Sequence, residues 1–101
     1  MKSPTPEDIK NLSKIMKALS HEHRLKIYID LWHAEQRQYD GKNECLIYDL
    51  CDTLGIGVPT ISHHLKELEN AGLIILKKRG RELTAQMNHQ TKSQICQYFD
   101  C

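Results

Sequence analysis

The sequence predicts a mostly α-helical domain with a β-hairpin wing, a winged helix-turn-helix. Three observations predict it. A short helical stretch, Asp49 to Leu54, is broken by Gly55-Ile56-Gly57 and followed by a second helix, Val58 to about Asn70. Two β-type runs then flank Arg79-Gly80, which is a hairpin pattern. Helical periodicity fills both ends of the chain. The expected layout is one domain over residues 1–101, with the helix-turn-helix at about 48–71, the wing at about 73–88 and a last helix at about 89–99.

Each element has a local cause. Thr5-Pro6-Glu7-Asp8 reads as a helix start, with Thr5 as N-cap, Pro6 in the first turn and acids beside the helix dipole. Ile9, Leu12, Met16 and Leu19 then recur at helical spacing. Ser20 is placed to cap a second helix whose apolar face is Leu25, Tyr28, Ile29 and Trp32, with Tyr28 and Trp32 in the core. A polar, insertion-like stretch from Ala34 to Asn43 carries an Asp40-Gly41 turn signal. Cys45-Leu46-Ile47-Tyr48 is a short apolar run that suits a lead-in strand. Leu50 and Leu54 face inward from the short helix. Pro59 opens the next helix and Gly72 ends it. Leu73 to Leu76 and the alternating Leu83, Ala85 and Met87 form the hairpin strands. Asn88 caps a last helix with Ile95, Tyr98 and Phe99 on its apolar side.

Composition narrows the classes. Hydrophobic residues make up 40% of the chain and charged ones 27%, ordinary values for a folded domain. No apolar run approaches the roughly 18 residues of a membrane span. The first residues lack the apolar core of a secretory signal, so the expected compartment is the cytoplasm. In that reducing compartment structural disulfides are not expected for Cys45, Cys51, Cys96 and Cys101. Net charge is only +1, but residues 1–72 carry 9 basic and 11 acidic side chains, against 5 and 2 in residues 73–101. A basic stripe on a near-neutral domain suits a small footprint on a polyanion.

The second helix of the motif carries the functional reading. At about 100° per residue, Val58, Ile61, Leu65 and Leu68 share one face. Pro59, Ser62, His63, Lys66 and Asn70 fall on the other. Ser, His and Asn can read base edges in a major groove, and Lys66 can reach phosphate or guanine. Thr60, near the helix start, is placed for a backbone phosphate. Such a face is also an ordinary solvated one; the wing tips the balance. Lys77, Lys78, Arg79 and Arg81 put four cations on the hairpin tip, beside this helix, where a duplex presents closely spaced phosphates.

Two other classes fit less well. An enzyme needs a paired nucleophile and base, a phosphate loop or a carboxylate pair, and the sequence offers none. A winged-helix protein-interaction module lacks a basic wing and exposes apolar residues on its outer helix face. This chain has the opposite pattern. A DNA-binding protein outside transcription fits the same residues.

The residues resemble a known family. Leu19 to Ile27, with Arg24-Leu25, is similar to the Leu-x-x-x-x-Arg-Leu segment of the ArsR/SmtB repressors. Asp49-Leu50, Leu54-Gly55-Ile56, Pro59 to Leu68 and Ala71-Gly72-Leu73-Ile74 resemble that family's helix-turn-helix, and Lys78 to Arg81 with Met87-Asn88 its wing. The likeness spans about residues 12–88, and the Thr60 to Leu73 run is the specific part. It implies a homodimeric repressor, joined through its first and last helices, that leaves double-stranded operator DNA when an inducer binds. The stretch from Glu35 to Asn43 is longer than the family's usual turn.

The family's metal boxes do not carry over. The Cys-x-Cys-Asp-Leu box of metal-sensing members falls here at Leu46 and Tyr48, which are not ligands. A second type needs a later His on the last helix, and no His follows His89. His21 and His23 read as surface residues at a helix start. His64 reads as a half-buried, hydrogen-bonded histidine, and His63 as a DNA contact. Cys51 reads as buried and inert. Cys45, Cys96 and Cys101 remain as the sensing candidates, since thiolates suit As(III) and other soft metals, and exposed thiols suit redox chemistry. On a continuous helix Cys96 and Cys101 point about 140° apart, so they would share an ion only if the end frays or across the dimer with Cys45.

Overall fold

The computed structural model describes residues 3–37, 44–46, 52, 54–80 and 82–99, without the side chains at 34–37, 44–46, 79 and 82. The elements are α1 (Pro6–Ala18), α2 (Glu22–Arg37), β1 (Glu44–Leu46), α3 (Val58–Asn70), β2 (Ile74–Arg79), β3 (Glu82–Met87) and α4 (His89–Phe99). The expected helix at Asp49–Leu54 falls mostly outside the described residues; Asp52 and Leu54 are helical. No described helix is long and apolar enough to cross a membrane.

Local chemistry sets the helix ends. The Thr5 hydroxyl accepts from Asp8 N–H at 3.1 Å, and Asp8 Oδ2 accepts from Thr5 N–H at 2.9 Å, a reciprocal capping box. α2 starts one residue later than expected. Ser20 turns away and donates to the Lys17 carbonyl at 2.7 Å. His21 takes the cap position: its carbonyl receives Leu25 N–H at 2.9 Å and its Nδ1 receives His23 N–H at 3.2 Å. α2 also runs on to Arg37, into the polar, insertion-like stretch expected to follow it. Ala34, Glu35, Gln36 and Arg37 are all good helix formers, so nothing stops the helix there. α3 closes in a full Schellman motif: Gly72 N–H binds Glu69 O at 2.9 Å, and Leu73 N–H binds Leu68 O at 3.0 Å. That geometry needs the positive φ of +78° at Gly72.

One core joins the elements. Ile15, Ile27, Tyr28, Leu31, Ile61, Leu65, Leu68, Leu73, Ile74, Ala85 and Met87 are buried together. Trp32 packs at its edge and meets Tyr28 edge-on at 5.9 Å. The expected face of α2 is corrected. Leu25 and Ile29 are 42% and 40% exposed, while Ile27 and Leu31 are buried. α2 carries two apolar stripes at helical spacing, and only packing selects which one turns inward. α1 behaves likewise: Ile15 enters the core, whereas Ile9 and Met16 stay exposed.

The sheet has the order β1-β3-β2, all antiparallel. β1 pairs Cys45 with Ala85; the rest of the expected Cys45–Tyr48 run lies outside the described residues, apart from Leu46. The wing strands are longer than expected. β2 runs through Arg79, which pairs with Glu82. Gly80 supplies the positive φ, +59°, that a two-residue hairpin loop requires. Lys77 and Lys78 therefore lie in a strand rather than on a tip. Successive strand residues face opposite sides, so the two lysines diverge.

Candidate nucleic-acid interface

α3 packs on α2 and β2 through Ile61, His64, Leu65 and Leu68. Val58, expected on this face, is 41% exposed, because it sits at the first turn, beyond the reach of the core. His64 takes an inward position instead. The outward row follows from the same rotation. Pro59, Thr60, His63 and Lys66 are exposed, and Ser62 is half-buried. Lys66 Nζ lies 3.2 Å from Glu69 Oε1, an exposed contact that a phosphate can replace. Each outward residue is polar or small, unlike the apolar row of an interaction module.

The α3 N-terminus differs from that of α1. Its N-cap is Gly57, which offers no side-chain cap, and its first turn holds no acid. The first amides and the positive dipole end face outward next to Thr60, an arrangement that favours an anion. The wing adds exposed Lys77 and Lys78. The side chain of Arg79 and all of Arg81 lie outside the described residues.

The wing is fixed to α3 from behind. The Gly72 carbonyl accepts from Asn88 Nδ2 at 2.9 Å and from the Thr91 hydroxyl. Asn88 also caps α4, accepting Gln90 N–H at 3.1 Å. One carbonyl at the end of α3 thus anchors the start of α4. Arg24 performs a similar task within the Leu-x-x-x-x-Arg-Leu segment: its Nε donates to the Ala18 carbonyl at 2.7 Å and closes α1 onto α2.

The sensing candidates fare differently. Cys96, on α4, is disulfide-bonded, against the expectation of reduced thiols throughout. The side chain of Cys45 and all of Cys51 and Cys101 lie outside the described residues. So no described cysteine offers a thiolate in this structure, and a cysteine metalloid site requires reduction first.

Three histidines that sequence reasoning treated separately lie together. The His64 ring centroid is 4.5 Å from that of His21 and 5.6 Å from that of His23. His64 is 5% exposed, and its Nδ1 has no hydrogen-bond partner, so the half-buried, satisfied histidine expected here is corrected. Burial lowers its pKa below the usual histidine value, with further lowering from His21, Arg24, His23 and His63. The cluster left little trace in the sequence, since its members come from two helices far apart in the chain.

Comparison with known proteins bears on the same residues. The pattern of the family described as "Bacterial regulatory protein, arsR family" matches residues 41–75. An arsenical resistance operon repressor from Staphylococcus xylosus is 34% identical over 91 residues, covering 90% of this chain and 79% of that protein. The chain belongs to the ArsR family. Solved structures share the fold of this ArsR-family chain at lower identity. HlyU from Vibrio cholerae superposes with a TM-score of 0.71 at 18% identity, over 96% of this chain and 100% of HlyU. A homodimeric winged helix-turn-helix DNA-binding domain from Mycobacterium bovis gives 0.69 at 16% identity, over 99% of this chain and 87% of that one. ArsR-family proteins are regulators, which sets the enzyme class aside.

Proposed function

We propose that this ArsR-family repressor reads its operator as a homodimer, with α3 in the major groove and the wing on the flanking backbone. The chain is a DNA-binding transcriptional repressor. The observation that carries the docking is the outward row of α3, Pro59, Thr60, Ser62, His63 and Lys66, beside a helix start without an acid. In this reading Ser62 and His63 contact base edges, and Thr60 and Lys66 hold phosphates. Lys77, Lys78, Arg79 and Arg81 supply the salt-dependent part of the affinity. Exposed Ile9 and Met16, one stripe of α1, and Phe99 on α4 support a dimer joined through the first and last helices. The site of action is the cytoplasm, where operator DNA lies.

The inducer we infer acts on cysteine thiols. Two observations support it: the relative from S. xylosus is an arsenical resistance operon repressor, and Cys96 takes part in a disulfide. Cys45, Cys96 and Cys101, once reduced, are the residues that would hold As(III) or another soft ion, or lose electrons to an oxidant. Fluorescence anisotropy with the promoter upstream of the chain's own gene tests both parts. Tight, salt-sensitive binding abolished by As(III) or peroxide, and insensitive to them in Cys96→Ser, is the expected result. Absence of binding to promoter or bulk duplex would overturn the docking. Release that persists unchanged in Cys96→Ser and Cys101→Ser would overturn the thiol inducer.

A further inference from the structure

His21, His23 and His64 each offer a ring nitrogen, and these three atoms lie within 4.8 Å of one another. Among the described residues no other group of histidine, cysteine or acidic side chains meets this condition. His21 caps α2, His23 stands in its first turn, and His64 projects from the middle of α3. We propose that this cluster binds one divalent transition-metal ion of the borderline class, Zn(II) or Co(II), with the three imidazoles as ligands.

The chemistry fits that class. Imidazole nitrogens suit Zn(II), Co(II), Ni(II) and Cu(II), and three histidines with a fourth position open to water form a recurrent zinc arrangement. The Nδ1 of His64 is buried and has no hydrogen-bond partner, an uncommon state for a buried polar atom. A metal ion satisfies such a lone pair. The neutral ring is the ligating form, and the burial of His64 disfavours the charged one.

Closure asks for modest movement. Tetrahedral zinc, with bonds of about 2.0–2.1 Å, sets its ligand nitrogens roughly 3.3 Å apart. His21 is exposed and His23 half-buried, so both rings are free to swing toward the fixed His64. His21 gives up its long contact to His23 N–H in doing so, whichever of its nitrogens ligates. Nδ1 cannot serve two partners, and ligation through Nε2 places the ring proton on Nδ1. The bound ion would pin the first turn of α2 to the middle of α3, directly beside Ser62 and His63. The site uses no cysteine, so it is independent of the thiol inducer.

The test is titration of the reduced full chain with Co(II), followed by displacement with Zn(II), read by visible absorption and calorimetry. One Co(II) per chain is expected, with nitrogen-type ligand-field bands and without a thiolate-to-cobalt charge-transfer band. His21→Ala, at an exposed position, and His23→Ala, at a half-buried one, with folding checked by circular dichroism, should each weaken the affinity about tenfold or more. Cys96→Ser should leave it unchanged. Equal affinity in the parent and both histidine variants would overturn the proposal. So would binding that shows thiolate charge transfer and disappears in Cys96→Ser.

Discussion

Tyr98 near the end of α4 donates its hydroxyl hydrogen to Asp8 Oδ2, 3.0 Å away in the first turn of α1. The same carboxylate oxygen closes the α1 capping box. One acid therefore links the two helices that carry the exposed apolar residues of the proposed dimer contact. Its pKa is lowered, first by the Thr5 backbone N–H, then by Tyr98 and the Thr5 hydroxyl. The Tyr98 hydroxyl is raised by the same contact.

A lowered carboxylate stabilises the fold above its ordinary value and loses that contribution as pH falls through the lowered one. Tyr98→Phe removes one of the lowering bonds. Asp8 in that variant should titrate closer to an ordinary aspartate, as followed by carboxyl NMR. An unshifted titration would mean that the Tyr98 contact is not formed in solution.

His64 gives the same sign in a higher pH window. Its folded pKa is below the ordinary histidine value, so the unfolded chain takes up the proton first. Stability should fall as pH drops from the ordinary value toward the lowered one. His64→Leu should flatten that slope in urea unfolding measured between about pH 5 and 8. His21, His23, His63 and Arg24 all face His64 and stay in place, so the difference between the two curves isolates this ring.

Gly72 holds the junction between the recognition helix and the wing. A side chain there meets nothing closer than the Thr91 hydroxyl at 3.8 Å, so space is not the obstacle. The positive φ is. Gly72→Ala should cost about 1–2 kcal/mol of stability in denaturant unfolding. A neutral outcome would mean that the Schellman end relaxes without loss.

Wing and helix substitutions should separate two kinds of DNA contact. Lys78→Ala or Arg81→Ala should weaken binding to every duplex and reduce the salt slope by about one unit. Ser62→Ala or His63→Ala should instead lower the preference for operator over bulk DNA. If wing substitutions left affinity untouched at low salt, the proposed docking would be wrong.

Local rules were legible along the chain. Thr5, Asn88 and Gly72 marked helix ends because capping and positive φ depend on neighbours only a few residues away. The polar outward row of α3 was legible too, since helix rotation alone separates Ser62, His63 and Lys66 from Leu65 and Leu68. The basic run was visible, but its distribution between strand and loop was not. Strand length depends on the partner β3, whose pairing extends to Arg79 and Glu82.

By itself, then, the sequence determined where α1 starts, both ends of α3, where α4 starts and which face of α3 meets solvent. These follow from interactions within one or two turns. Only the tertiary structure decided which of two apolar stripes of α2 is buried, Ile27 with Leu31 rather than Leu25 with Ile29. It alone brought His64 against His21 and His23, and Tyr98 against Asp8. The reason is the same in each case. Periodicity fixes a residue's angle about its own helix, but contact between helices depends on how whole elements pack around a shared core.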